Sequence, residues 1–123
     1  MIKIYGIKNC TTIKKALKWL ADNNSKYQFH DYSKKGVDQI KLKELVDKFG
    51  WEKILNRRGM TWRKLSNDEK KIIIDKESAI ILMIDKPSII KRPIAELENV
   101  HLIGFDANEY KNAFTDKKTE ETF

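Results

Sequence analysis

One short stretch, residues 6–16, constrains the fold of this chain most, because it joins an apolar run to a helical pattern. Residues 2–7 are mostly apolar, which predicts a strand. The sequence therefore predicts a strand, a loop that carries Cys10, and a helix. After Cys10 the apolar side chains recur with the spacing of one helix face, at Ile13, Ala16, Leu17 and Leu20.

The place of Cys10 at the start of a helix favours its thiolate form. Backbone N–H groups and the positive end of the helix dipole both face this position. An ordinary cysteine with a pKa of about 8.5 is roughly 3% ionised at pH 7, and lowering that pKa by two takes about 2.7 kcal/mol. Because the dipole supplies only about 0.3–1 kcal/mol, and at most about 2, we expect a cation nearby: Lys8, Lys14 or an arginine from elsewhere. The alternative is that Cys10 is a small buried apolar residue.

Length and cysteine content limit the possible classes. The chain has 123 residues, enough for one domain with its own core. Its single cysteine excludes an internal disulfide and a Cys-rich zinc site, and nothing in the sequence calls for a metal. No apolar run approaches membrane-spanning length and no leader pattern is seen, so we expect a cytoplasmic, soluble protein without membrane contact.

The positive charges are more informative in kind than in number. The net charge is +7, but the lysines are scattered among the acids without a basic block, so we expect no direct binding of nucleic acid. Only four arginines occur, and Arg57, Arg58 and Arg63 lie within seven residues, with Arg92 further on. Arginine provides a planar fork of donors, which suggests binding of an oxyanion or carboxylate. The alternative is that so few arginines fall close together by chance.

The remaining pattern predicts a second strand, a group of helices, two more strands and a last helix. Residues 27–32 alternate as a strand does. Asp38 can cap a helix that Gly50 stops, and Ser66 with Glu69 has the form of a capping box that opens a helix through Ile74. A further helix is expected over residues 77–85. The loop over residues 55–63 is rich in arginine and aromatic side chains, as functional loops often are. The predicted strands are residues 1–5, 27–32, 88–91 and 100–103, the last two pairing antiparallel; the predicted helices also include residues 11–23 and one capped by Asp106.

This order predicts an α/β protein with a thioredoxin-like, or glutaredoxin-like, fold. A mixed four-stranded sheet with flanking helices is formed by a βαβ half and a ββα half. A helical insertion over about residues 37–86 separates the halves. We expect a single domain over residues 1–114, with residues 115–123 as a flexible tail.

Three motifs resemble the ArsC/Spx family, and especially its YffB-like branch of small single-cysteine proteins. They are residues 6–16 around Cys10, the loop over residues 56–64, and residues 90–94 followed by residues 102–105. The resemblance extends from residue 2 to about residue 114, with the motifs in the family order. The resemblance implies a thioredoxin-like fold. It does not imply one function, because the family includes both reductases and a transcription regulator.

The resemblance implies roles for matching positions. Cys10 matches the nucleophilic cysteine, and Arg57 and Arg92 match two arginines that bind the oxyanion and the covalent intermediate in arsenate reductases. Lys14 matches a basic residue in the active-site helix. Pro93 matches a proline that is usually cis beside the active cysteine.

Several positions depart from the family pattern. Gly6 stands where the arsenate reductases have a histidine, and no arginine follows Arg92, which argues against arsenate as the natural substrate. Ile13 stands where Spx has the second cysteine of its redox switch, so a Spx-type disulfide cannot form. Thr11 stands where the YffB-like branch often has aspartate.

The sequence and the resemblance together suggest a monothiol reductase that works with glutathione. Cys10 would form a covalent adduct with a small thiol, disulfide or oxyanion substrate, and an external thiol, from glutathione or a glutaredoxin, would resolve it. Arg57 and Arg92 would bind the substrate anion, and the N–H groups of Thr11 and Thr12 would stabilise the sulfur or oxyanion. Glutathione is thus expected as a co-substrate and no cofactor as a resident group.

The alternative is a Spx-like regulator that binds an RNA polymerase subunit without turnover. In that case Cys10 would be incidental or regulatory. A monomer is expected under either hypothesis.

Overall fold

The helices and strands of the protein belong to two compact units. The structure is a computed structural model and describes residues 1–8 and 10–114. The first unit comprises Met1–Asp31 and the chain from Arg92 onward, and the second comprises Tyr32–Lys91. The single-domain prediction for residues 1–114 stays a prediction, and the predicted tail over residues 115–123 lies outside the described residues.

The first unit is built on a mixed four-stranded sheet. Its strands are β1 (Ile2–Gly6), β2 (Tyr27–Asp31), β3 (Ile94–Leu97) and β4 (Val100–Ile103), and its helices are α1 (Thr11–Asp22) and α8 (Ala107–Phe114). The strand order is β2-β1-β3-β4. Strands β1 and β2 are parallel, as the strand–helix–strand pattern predicts, while β3 runs antiparallel to both β1 and β4. This topology confirms the thioredoxin-like fold.

One face of the sheet carries the core of the first unit. Because side chains alternate along a strand, Ile2 and Ile4 of β1 point to the same face and are buried. Helix α1 and helix α8 both pack on that face. The buried core comprises Ile2, Ile4, Ala16, Leu20, Ala95, Tyr110 and Phe114.

The position of β3 corrects the sequence-based prediction. We predicted a strand over residues 88–91, but Pro87–Ile89 form a 3₁₀ helix, with the proline in the first turn where its missing N–H is tolerated. Ile90 makes only an isolated bridge to Leu55. The strand that pairs with β1 is Ile94–Leu97 instead, after Pro93.

The second unit is helical. It contains α2 (Tyr32–Lys35), α3 (Gln39–Phe49), α4 (Trp51–Ile54), α5 (Met60–Arg63), α6 (Asn67–Lys71), α7 (Lys76–Asp85) and the 3₁₀ helix. As predicted, Asp38 caps α3, and Gly50 ends it with a φ of 87°. The helices pack through buried apolar side chains, among them Leu42, Val46, Ile54, Ala79, Ile80 and Met83.

Helix α6 is shorter than predicted. Ser66 and Glu69 form the expected capping box, but the helix ends at Lys71 rather than running through Ile74. Two features end it: three successive β-branched residues lower helix propensity, and Asp75 starts a new helix by capping α7.

Helix length has one further consequence. The longest of the described helices, α1, has 12 residues, and none of them is long and apolar enough to cross a bilayer.

Candidate active site around Cys10

Cys10 is the N-cap residue of α1. Strand β1 ends at Gly6, and the chain reaches Thr11, the first residue of the helix, through a short loop. The backbone of Cys10 is extended, with φ −111° and ψ 126°, and its carbonyl accepts the first helical hydrogen bond, from the N–H of Lys14, at 3.1 Å. Its side chain is half-buried. These features put the sulfur at the positive end of the helix dipole.

The surroundings of the sulfur lower the pKa of the Cys10 thiol. Partial burial by itself raises this pKa, but hydrogen bonding from the Ile13 N–H outweighs it, together with the Arg92 side chain, the Thr12 N–H and the positive charge of Arg92. The neutral thiol makes no regular capping bond in the described part of the chain, because sulfur is a weak acceptor. The donors act on the thiolate, which needs them more.

Strand pairing explains why Arg92 reaches Cys10. Strand β3 is antiparallel to β1, with Ile94 opposite Tyr5. The chain just before β3 therefore lies beyond the end of β1, where the Cys10 loop begins. Arg92 occupies that segment and places its positive charge near the sulfur of Cys10, where the sequence predicted a cation.

Pro93 holds the same segment in place. It is buried, the Arg92–Pro93 peptide bond is cis, and the Pro93 carbonyl accepts a hydrogen bond from the N–H of Gly104 at 2.8 Å. The end of β4 is thereby joined to the segment that carries Arg92.

Arg57 belongs to the second unit, where two indole rings flank it. Its guanidinium carbon lies 5.3 Å from the ring centre of Trp51 and 5.8 Å from that of Trp62, within the range of cation–π attraction. The preceding residue, Asn56, accepts a hydrogen bond from the Arg58 N–H at 3.1 Å and donates its own N–H to the Ile89 carbonyl at 2.8 Å. Arg57 is therefore exposed but restrained.

No metal site is evident in this arrangement. Within residues 1–8 and 10–114, no three His, Cys, Asp or Glu side chains are grouped as a metal ion requires. What the site offers chemically is a nucleophile with anion-binding donors around it.

Comparison with known proteins identifies the family. The model of the ArsC family matches residues 5–113. The chain belongs to the ArsC family. A protein of Haemophilus influenzae whose function is uncharacterised is 46% identical over 114 residues, covering 93% of this chain and 99% of that protein.

Two further proteins are similar over most of this chain. A solved structure described as the YffB protein is 42% identical, with a TM-score of 0.88, and covers 94% of this chain and 100% of its own. The global transcriptional regulator Spx of Streptococcus pyogenes is 26% identical over 113 residues, which are 90% of this chain and 83% of that protein. Sequence similarity thus reaches both a YffB protein and a regulator.

The structure of this ArsC family member brings some predicted site residues together. Cys10, Arg92 and the N–H of Thr12 meet at the sulfur, and Pro93 adjoins them. Thr11 and the Lys14 side chain are exposed on the first turn of α1. Arg57 lies in the second unit. The roles assigned to these residues stay predictions.

Sequence reasoning missed one contributor at the sulfur of Cys10. Ile13 supplies an N–H to the sulfur, but its identity as a core residue hid that role, because a backbone donor leaves no mark in the side-chain pattern. In the second unit, Trp51 and Trp62 are half-buried and face Arg57.

Proposed function

We propose that this ArsC family member is a glutathione-dependent monothiol reductase. The observation that supports this most is the convergence of Arg92 and two N–H groups on the sulfur of Cys10. A thiol whose pKa is lowered is present as thiolate to a greater extent at neutral pH, and the thiolate is the nucleophile.

The first step is attack of the Cys10 thiolate on a substrate disulfide. A new S–S bond forms to Cys10, and the other substrate sulfur leaves as a thiolate, which takes up a proton from solvent. An oxyanion centre is the alternative electrophile. The N–H groups of Thr11, Thr12 and Ile13 stabilise negative charge at the helix start during this step.

The second step needs a thiol from outside, because the chain contains one cysteine. A glutathione thiolate attacks the adduct, forms a disulfide with the substrate-derived sulfur, and releases Cys10 as thiolate. When the substrate is a mixed disulfide with glutathione, the product is oxidised glutathione, and the two electrons reach the released substrate thiol. A glutaredoxin can provide the thiol instead.

Anion recognition is the proposed task of Arg57, Arg92 and Lys14. Glutathione carries two carboxylates, and a guanidinium binds a carboxylate with two parallel hydrogen bonds. Pro93 lines the same segment as Arg92. The proposal places the protein in the cytoplasm, where glutathione is kept reduced, as a monomer without a resident cofactor.

A coupled assay tests the proposal. Glutathione, a small mixed disulfide, glutathione reductase and NADPH are combined, and NADPH oxidation is followed with the wild-type protein and with Cys10→Ser. We expect turnover only with the wild type, since a serine hydroxyl is not ionised at neutral pH. Equal rates for both proteins would refute the mechanism.

The similarity to Spx supports a second candidate function, binding of an RNA polymerase subunit without turnover. Under it, the protein is retained on immobilised polymerase, Cys10→Ser is retained equally well, and the coupled assay shows no activity. Retention without turnover favours the regulator, and turnover without retention favours the reductase.

A further inference from the structure

Gly6 stands at the end of β1, where two side chains leave no room for a third. A Cβ atom placed on Gly6 would collide with Cδ1 of Ile13 and lie 3.2 Å from its Cγ1. It would also contact Cβ of Arg92 at 3.5 Å. The space above Gly6 is therefore filled by Ile13 and bordered by Arg92.

The backbone of Gly6 does not itself call for glycine. Among the described residues, the glycines with positive φ are Gly36, Gly50 and Gly104, and Gly6 lies in a regular strand paired with Asp31 of β2. Any L-residue adopts strand conformation. The feature that distinguishes Gly6 is thus the missing side chain, not conformational freedom.

The two residues that border Gly6 are the same two that act most strongly on the Cys10 thiolate. Ile13 donates its N–H and Arg92 its side chain toward the sulfur. Ile13 is 1% exposed, and a β-branched side chain in a helix has one strongly preferred χ1 rotamer. Cδ1 can turn away by rotation about χ2, but Cγ1, at 3.2 Å, is placed by χ1. Part of the displacement therefore falls on the first turn of α1 and on the N–H of Ile13.

We propose that Gly6 is a positioning residue for Cys10: its missing side chain lets Ile13 seat the first turn of α1 against the end of β1 and keeps the donors of Ile13 and Arg92 at the sulfur. This inference rests on the proposed function only in taking Cys10 to be catalytic. The contacts of Gly6 act on the Cys10 thiol whether or not the protein is a reductase.

The test uses reaction of Cys10 with iodoacetamide, followed from pH 5 to pH 10 in the full-length protein. Three variants are compared with the wild type: Gly6→Ala, Ile13→Val, and the double variant. Valine lacks Cδ1, the atom that the new methyl group would meet, so the double variant moves a methyl group from one side of the contact to the other. Ile4→Val serves as the control, because it removes a buried methyl group from the same strand without bordering Gly6.

We expect Gly6→Ala to raise the apparent pKa of Cys10 and to slow alkylation at pH 7 about three- to tenfold, because fewer donors then stabilise the thiolate. The double variant should return to within about twofold of the wild-type rate. Ile4→Val should melt earlier but keep the wild-type pH profile. A folded Gly6→Ala protein with the wild-type profile overturns the inference, and so does a double variant as slow as Gly6→Ala.

Ile13→Val keeps the inference testable if Gly6→Ala fails to fold. Because valine packs less tightly over Gly6 than isoleucine does, this variant should be alkylated about twofold more slowly at pH 7. An unchanged rate overturns the inference. Iodoacetamide reacts without glutathione, so the two proposals fail separately. A raised pKa with rescue but no turnover in the coupled assay rejects the reductase alone, whereas turnover with no pKa change rejects the role of Gly6 alone.

Discussion

The start of α1 and the start of α7 differ in which side chain meets the unpaired backbone N–H groups of the first helical turn. At α7, the Asp75 carboxylate accepts the N–H of Ser78 at 2.9 Å, and the Ser78 hydroxyl accepts the N–H of Asp75 at 3.2 Å. At α1, the cap residue is Cys10, whose side chain makes no regular capping bond in the described part of the chain. Helices α3, α6 and α8 follow the pattern of α7, with caps at Asp38, Ser66 and Asp106.

The same donors therefore yield stability at one terminus and reactivity at the other. Hydrogen bonds from the Ser78 N–H and hydroxyl hold the pKa of the exposed Asp75 carboxyl below its usual range, but that group is ionised at neutral pH in any case. A lowered pKa at Cys10 instead changes how much thiolate is present near pH 7. Similar donors therefore change the ionised fraction near pH 7 at Cys10 but not at Asp75.

Giving α1 the kind of cap that α3 has should produce the largest effect. In Cys10→Asp a carboxylate accepts the N–H groups of the first turn, so we expect the free energy of unfolding to rise by about 0.5–2 kcal/mol while thiol chemistry disappears. Urea unfolding and the coupled assay measure the two effects. Asp38→Ala is the matched control and should lose a similar free energy without loss of activity. A destabilised Cys10→Asp protein would mean that the first-turn donors do not face the cap side chain.

Removing the guanidinium fork at the start of α1 should produce the next largest effect. Arg92→Lys keeps the charge but loses the planar fork, so we expect roughly tenfold slower alkylation of Cys10 at pH 7 and a comparable fall in turnover. The exposed Arg63 provides the control, and Arg63→Lys should leave both rates unchanged. Equal rates for the two variants would remove Arg92 from the account of the thiolate.

The comparison of helix starts also shows what the sequence could predict. The caps at Ser66 and Asp106 were found because a glutamate lies three residues after each, and the cap at Asp38 because aspartate is a preferred N-cap residue. The end of α6 was missed because the cap of α7, Asp75, competes for the same residues. Local patterns thus predicted isolated helices better than the boundary between two successive ones.

The sheet was harder to predict at its second half. Residues 88–91 were predicted as a strand, but Lys91 pairs within the second unit, where its N–H donates to the Ile54 carbonyl at 2.8 Å. The true strand, β3, leads into a tight turn that holds Glu98 at a φ of 54°. Because glutamate rarely marks such a turn, the hairpin gave no local indication. The place of Arg92 beside Cys10 depends on that pairing and came only from the family resemblance.

The pH dependence of stability should differ between the two helix starts. Cys10 has a folded-state pKa below its unfolded value of about 8.5, so its contribution is fully present above the unfolded value and is lost as the pH falls through the folded value. The wild type should therefore gain free energy of unfolding relative to Cys10→Ser as the pH rises toward about 9. The pKa of the Asp75 carboxyl is also lowered, so its contribution to stability is likewise lost as the pH falls, but in the acid range. If the free energies of unfolding of the wild type and Cys10→Ser changed in parallel with pH between neutrality and about 9, the lowered pKa of Cys10 would be contradicted.

The smallest expected effect concerns the indole rings around Arg57. A cation–π contact contributes about 0.5–1 kcal/mol at an exposed site, so Trp62→Leu should raise the KM for glutathione about two- to fivefold with little change in kcat. Trp62→Phe retains a ring and should stay closer to the wild type. In an Arg57→Ala background, Trp62→Leu should have no further effect on KM; a full additive effect would show that Trp62 does not act through Arg57.

The pairing of β3 with β1 also sets when the thiol becomes reactive during synthesis. The ribosome releases Cys10 early, in the first helix, whereas Arg92 and β3 follow only after the whole helical unit has been made. Until Ile94 and Ala95 lie beside β1, the nascent chain carries a cysteine that lacks its guanidinium partner. The full set of groups around the thiol is thus present only after Arg92 and β3 have been synthesised and β3 has paired with β1.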